Sequence, residues 1–175
     1  MTATMSVRPQ PNEYAPYYER YVSLVPDGPI VEVLRDQIAD TLRLLRALPE
    51  SRGDHRYAPG KWSVKEVVGH VTDAERVFSY RALRFGRNDP TPLPGFDEQV
   101  YAPAGGFGAR TLASILDELE AVRRATVALF EGFPPEAWSR TGVAAENPVS
   151  VRGMAYIIAG HERHHRSVLA ERYLA

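Results

Sequence analysis

Apolar residues return at intervals of three and four along four long stretches of the chain, the period of a helix with one buried face. Val31, Leu34, Ile38, Leu42, Leu45 and Leu48 predict a first helix from about Ile30 to Leu48, stopped by Pro49. A second, from about Ser63 to Phe85, carries Val64, Val67, Val71, Phe78 and Leu83 on its apolar side and meets Gly86 at its end. Its start is marked by Ser63 and Glu66, a hydroxyl and a carboxylate spaced to cap each other's backbone amides. Leu112, Ile115, Leu116, Leu119, Val122, Val127 and Phe130 define a third, from about Thr111 to Glu131, ended by Gly132 and Pro134-Pro135. The fourth begins near Ser150 and runs to about Tyr173 on Met154, Ile157, Ile158, Val168 and Leu169. No run shows a clear period of two and no segment repeats, so the pattern predicts an all-α four-helix bundle.

The intervening stretches have their own character. Residues 1–29 are rich in proline and tyrosine, and Tyr14, Tyr17, Tyr18 and Tyr21 read as a packing arm that lays rings on the body. Residues 50–62 form a basic loop in which His55 is expected to face solvent. Residues 87–109 have no helical period, and loops this long in a compact domain are often functional. Within them Phe96-Asp97-Glu98-Gln99-Val100-Tyr101 suggests a single turn carrying two carboxylates. Residues 135–149 hold Trp138 and then a polar stretch of Gly, Asn and Pro.

Charge and composition narrow the function. The 175 residues carry a net charge of −1, which gives no footprint for nucleic acid. Cysteine is absent, so no disulfide, thiolate metal site or protein thiol nucleophile is available. No apolar run approaches a membrane span. Met1-Thr2-Ala3-Thr4-Met5 lacks the pattern of a signal peptide, so a cytoplasmic protein is expected.

The chemistry concentrates in Gly160-His161-Glu162-Arg163-His164-His165-Arg166, which holds three of the five histidines. At about 100° per residue, His165 lies roughly 40° from His161, and both point along the apolar stripe; His164 sits on its edge. Two inward imidazoles one turn apart need separate partners in an apolar setting, or one divalent metal held by both. His164 is the alternative to His165. Glu162 points about 100° from His161 and is poorly placed as a base. His70 lies on the flank of the second helix, a third of the way in, whereas His165 lies a third from the end of the fourth. Their depths match only if those helices are antiparallel. That requires up-down-down-up topology with a crossover between helices two and three. Residues 87–109 can span about 70 Å, ample for the crossover. His70 thereby becomes the third ligand candidate. Asp73 is a candidate acceptor from a ligand ring, although solvated helix-face charge accounts for both Asp73 and Glu75. Asp97 and Glu98, on the crossover, are candidate catalytic carboxylates, with plain surface charge as the competing reading.

Three stretches together resemble the DinB-like (YfiT-like) superfamily of four-helix metalloproteins. They are Gly60-Lys61-Trp62-Ser63-Val64-Lys65-Glu66-Val67-Val68-Gly69-His70-Val71, then Gly95-Phe96-Asp97-Glu98-Gln99, then His161 through His165. The resemblance implies one helical domain over residues 1–175, with 1–29 as an arm. It also implies a divalent metal, zinc or nickel, on His70, His161 and His165. Members of that superfamily include transferases of low-molecular-weight thiols such as bacillithiol and a mycothiol-dependent isomerase. The activity expected is thiol transfer to a small electrophile; metal-dependent hydrolysis or a non-catalytic metal-binding module are the alternatives. The resemblance and the nine tyrosines suggest a homodimer.

Overall fold

The computed structural model describes residues 7–174; the stretch Met1–Met5 and its signal-peptide reading lie outside them. Six α-helices follow in order: α1 Glu19–Val22, α2 Ile30–Arg46, α3 Val64–Gly86, α4 Glu98–Ala104, α5 Leu112–Glu131 and α6 Val151–Val168. The last continues as a π turn, Leu169–Tyr173. Helices α2, α3, α5 and α6 are the four that the apolar spacing predicts. At the start of α3 the Ser63 hydroxyl accepts from the Glu66 amide at 3.2 Å, and the Glu66 carboxylate accepts from the Ser63 amide at 2.7 Å. The helix ends at Gly86, as expected, but Gly86 is not the residue that turns the chain. Asn88, at φ 63°, makes the left-handed turn, while Gly86 leaves room for the Phe133 ring.

Cross-helix bonds fix the topology. Arg46 of α2 pairs with Asp117 of α5 and Arg35 with Glu131, so these helices are antiparallel. Glu75 and Ser79 of α3 meet Arg123 and Thr126 of α5 in rising order, so these are parallel. Gln37 and Asp40 of α2 likewise reach Ala159 and Arg166 of α6. The Tyr173 hydroxyl, beyond α6, donates to the carbonyl of Trp62, just before α3, which sets α3 against α6. The bundle runs up-down-down-up, as the matched histidine depths require.

The crossover is less bare than its sequence suggests. The expected single turn is the two-turn helix α4, begun by Asp97, whose carboxylate accepts from the Gln99 amide at 2.9 Å. A hairpin, β1 Thr141–Ala144 with β2 Asn147–Ser150, occupies the stretch read as merely polar. Ala145 (φ 48°) and Glu146 (φ 66°) form its turn, without the Asn-Gly that usually announces one. Leu93 bridges to Ala144 and ties the crossover to the hairpin.

Two apolar clusters fill the bundle. One gathers Leu34, Phe78, Phe85, Phe130, Trp138 and Met154; the other gathers Leu42, Leu45, Val67, Leu116, Leu119 and Leu169. A polar waist separates them. Arg123, 1% exposed, donates to both oxygens of Glu75 at 2.8 and 2.9 Å and to the Leu34 carbonyl at 3.0 Å. It also lies 2.7 Å from Glu162, which takes further bonds from Gln37 and Thr41. All four long helices meet there. Glu75 and Glu162 are each 2% exposed, which overturns the reading of Glu75 as solvated surface charge. Burying one cation among two carboxylates is tolerable only because every member is hydrogen-bonded.

Candidate metal centre

Helix α6 presents His161 and His165 one turn apart, just past the waist, and α3 brings His70 to the same depth from the opposite direction. His161 Nε2 lies 3.1 Å from His70 Nε2 and 3.2 Å from His165 Nε2. The donor nitrogens of all three rings fall within 4.8 Å of one another. One ring nitrogen carries at most one proton, so His161 Nε2 cannot donate well to both neighbours, and lone pairs are left facing each other. A shared divalent ion relieves this conflict. Nitrogens held tetrahedrally at about 2.0–2.1 Å stand about 3.3 Å apart, close to the separations observed. The donor set therefore fits such an ion.

The surroundings hold the rings in place. His161 and His70 are buried and His165 half-buried. Tyr21 and Phe78 stand edge-on to His161 at 5.2 and 5.9 Å, and Trp62 packs on His70 at 4.9 Å. His164 is edge-on to Tyr21 and stays outside the cluster. His55 is half-buried against Tyr173 rather than fully in solvent.

Burial holds His70 down at about 4 and His165 at about 3; His161 is driven well below its ordinary 6.5 by burial and by its two ring neighbours. Imidazole binds metal only when neutral. The sequence alone predicts that affinity falls as pH drops through about 6.5 and below; burial of the rings moves that fall to lower pH. A divalent ion loaded onto these rings is expected to be retained at pH 5.5 and released near pH 4, as measured by metal content after dialysis at each pH. Stability of the metal-free form follows the opposite constraint. Unfolded imidazoles take up protons near 6.5 and the folded ones do not. Stability should therefore fall between pH 6.5 and 4, by about 3 kcal/mol for His70 alone at about 1.4 kcal/mol per pH unit.

A cavity of about 120 Å³ opens beside His70 and His161. The same face of α3 continues as Ala74, Phe78 and Arg81 along its wall; Phe96 and Glu98 come from the crossover, and Tyr17, Tyr18 and Tyr21 from the arm. The arm is thus more than packing. It reaches the site because α1 lies directly on α6 at Gly160, where a Cβ would run into the Tyr21 carbonyl. Of the two candidate catalytic carboxylates on the crossover, Glu98 lines the cavity and Asp97 does not. Asp97 is spent on capping α4. Asp73 is held by Arg76 at 3.5 Å, with no hydrogen bond to a histidine among the described residues. The cavity tyrosines and Arg81 were missed by sequence reasoning. The available signal was three phenols within five positions of the arm.

Comparison with known proteins agrees with this architecture. A protein of Oceanobacillus iheyensis, named as a metal-dependent hydrolase, is 24% identical over 137 residues, 77% of this chain and 76% of that protein. The structure of YfiT from Bacillus subtilis, described as a probable metal-dependent hydrolase with an unusual four-helix bundle topology, superposes with a TM-score of 0.72 at 16% identity. The match covers 97% of this chain and 95% of YfiT. A mycothiol-dependent maleylpyruvate isomerase superposes with a TM-score of 0.67 at 14% identity, over 79% of this chain and 58% of that one. The sequence pattern of the DinB superfamily matches residues 34–169, a span that holds all three clustered histidines, and the chain belongs to that superfamily.

Proposed function

We propose that this chain is a metal-dependent enzyme in which His70, His161 and His165 hold a divalent ion, zinc or nickel, and that it transfers a low-molecular-weight thiol to a small electrophile. The observation that carries the proposal is the convergence of three imidazoles, two buried and one half-buried, with His70 and His161 lining a cavity. Three protein ligands leave a coordination position for a small molecule. When bound, the ion supplies a Lewis acid that makes a thiol or a water acidic at neutral pH. The chain itself holds the reactants. Phe78, Phe96 and the arm tyrosines wall off water around an electrophile, and Glu98 is the carboxylate on the cavity wall positioned to accept a proton from the incoming nucleophile. With no cysteine of its own, the protein takes the thiol from outside. The thiol dependence named for the isomerase relative supports this reading.

Hydrolysis is the second reading, favoured by the names of the Oceanobacillus and Bacillus proteins. One experiment separates the two. Zinc-loaded and chelator-stripped protein are each mixed with a fluorogenic alkylating electrophile and a panel of thiols, and separately with aryl esters without thiol. Thiol transfer predicts consumption of the electrophile that needs both metal and a particular thiol. Ester turnover without thiol would transfer the assignment to a hydrolase. Inactivity of fully loaded protein in both arms would leave a binding module.

A further inference from the structure

Two buried charges lie outside the waist and the histidine cluster, Lys65, which pairs with Glu50 and Asp54, and Arg81, which has no such partner among the described residues. Arg81 is 3% exposed, near the Arg123 level. The two arginines differ in what surrounds them. Arg123 is neutralised by two carboxylates. Arg81 donates to the Pro94 carbonyl at 2.8 Å, approaches the Tyr18 hydroxyl, and lies 5.8 and 6.0 Å from the Phe78 and Phe96 rings. No carboxylate among the described residues comes within ion-pairing distance of it. Burial weakens its hold on its proton, with only the Tyr18 hydroxyl acting against that. A guanidinium has five N–H donors in a planar fork shaped for a carboxylate, and most of these are unspent here. Buried charge without a counter-charge is costly and calls for a partner.

The place of Arg81 says where that partner belongs. His70, Ala74, Phe78 and Arg81 follow at four, four and three residues, one stripe of α3 lining one cavity. The histidines stand at one end of the stripe and the guanidinium at the other. Eleven residues of helix separate the two Cα positions by about 16 Å, which the arginine shortens because helical side chains lean toward the N-terminus. We propose that Arg81 is a specificity-determining residue that binds a carboxylate of the substrate, so that the enzyme acts on small organic anions whose reacting atom lies at the histidine end of the cavity. This rests on the metal-dependent reading above, in which the histidine end is the reacting end.

The test uses zinc-loaded protein and two ligand series, straight-chain ω-mercaptoalkanoates and the corresponding alkanoates without a thiol, each compared with its neutral amide by calorimetric titration. In the wild type the carboxylate is expected to bind about tenfold or more tightly than the amide at a favoured chain length, the scale of a charge-assisted bond. Arg81→Gln, which keeps a donor for the Pro94 carbonyl, should reduce that ratio to near one without changing zinc content. Arg81→Lys should give an intermediate ratio. Equal binding of acid and amide by the wild type overturns the proposal without reference to any variant. So does a preference that survives in Arg81→Gln, because the anion is then read by the metal. The two series keep the claims apart. Loss of the thiol's contribution alone bears on the transfer chemistry, and loss of the carboxylate's contribution alone bears on Arg81.

Discussion

Replacing His161 by alanine should abolish stoichiometric metal binding and leave the protein folded. His161 is the middle member of the cluster, with its Nε2 in contact with both other rings. Without it, two imidazoles remain on different helices with no third donor between them. Loss of a ligand should cost more than the roughly 100-fold that removal of a ligand's supporting group costs. The heat stability of the apo protein should change little, because alanine also removes a buried ring whose lone pairs face two others. The difference appears on adding zinc. An ion at about a thousand times its dissociation constant stabilises the wild type by about 4 kcal/mol. For a chain this size that raises the melting midpoint by on the order of 10 °C. The variant should show no zinc-dependent rise. One divalent ion per chain retained in a His161→Ala, His165→Ala double variant would refute the assignment of these ligands.

The sequence showed the histidine pair and the bundle for one reason, and hid the waist for a related one. Spacing of three and four reveals which positions share a face, and His161 and His165 share one with Met154, Ile157 and Ile158. Facing decides burial only where a helix has a wet side. Every residue from Gly153 to Glu162 is buried, so α6 has no such side over this span. Glu162 points away from His161 and is buried nonetheless, four residues after the buried Ile158. Arg123 was legible in principle. It falls four residues after Leu119 and four before Val127, on the stripe that defines α5, where a charge asks for a counter-charge from another helix. Its partners were not legible, because pairing Arg123 with Glu75 and Glu162 requires knowing that α3 and α5 run parallel at this register. The arm tyrosines depend on a longer-range event still, the docking of α1 on Gly160. The hairpin stayed hidden because Thr141–Ser150 has neither alternation nor the usual turn residues.

Arg123→Met should be the most destabilising single change outside the apolar clusters. Methionine fills comparable volume, so the cost is electrostatic rather than a cavity. It leaves Glu75 and Glu162, each 2% exposed, without a cation. Breaking a buried ion pair by removing one partner costs about 3–5 kcal/mol, and here one partner serves two carboxylates. In the wild type, burial weakens the charge on Arg123, but attraction to Glu75 and Glu162 outweighs it. Burial likewise pushes Glu162 up, yet Arg123, Thr41 and Gln37 hold it below its ordinary value. A lowered carboxylate contributes stability above its unfolded value of 4.5 that is lost as pH falls through the folded one. In Arg123→Met this relation inverts. Glu162 keeps its burial and loses its cation, so the variant should gain stability relative to wild type as the pH is lowered toward 5, where protonation relieves the unpaired charge. Adding Glu75→Gln and Glu162→Gln should recover much of the loss at neutral pH. Urea midpoints at pH 7.5 and 5 for wild type, single and triple variants measure all of this. A loss under about 1 kcal/mol at pH 7.5 would mean that water reaches the waist. The loss should be similar with and without zinc, because Arg123 acts on the bundle rather than on the ion, whereas the effect of His161→Ala appears only when zinc is present.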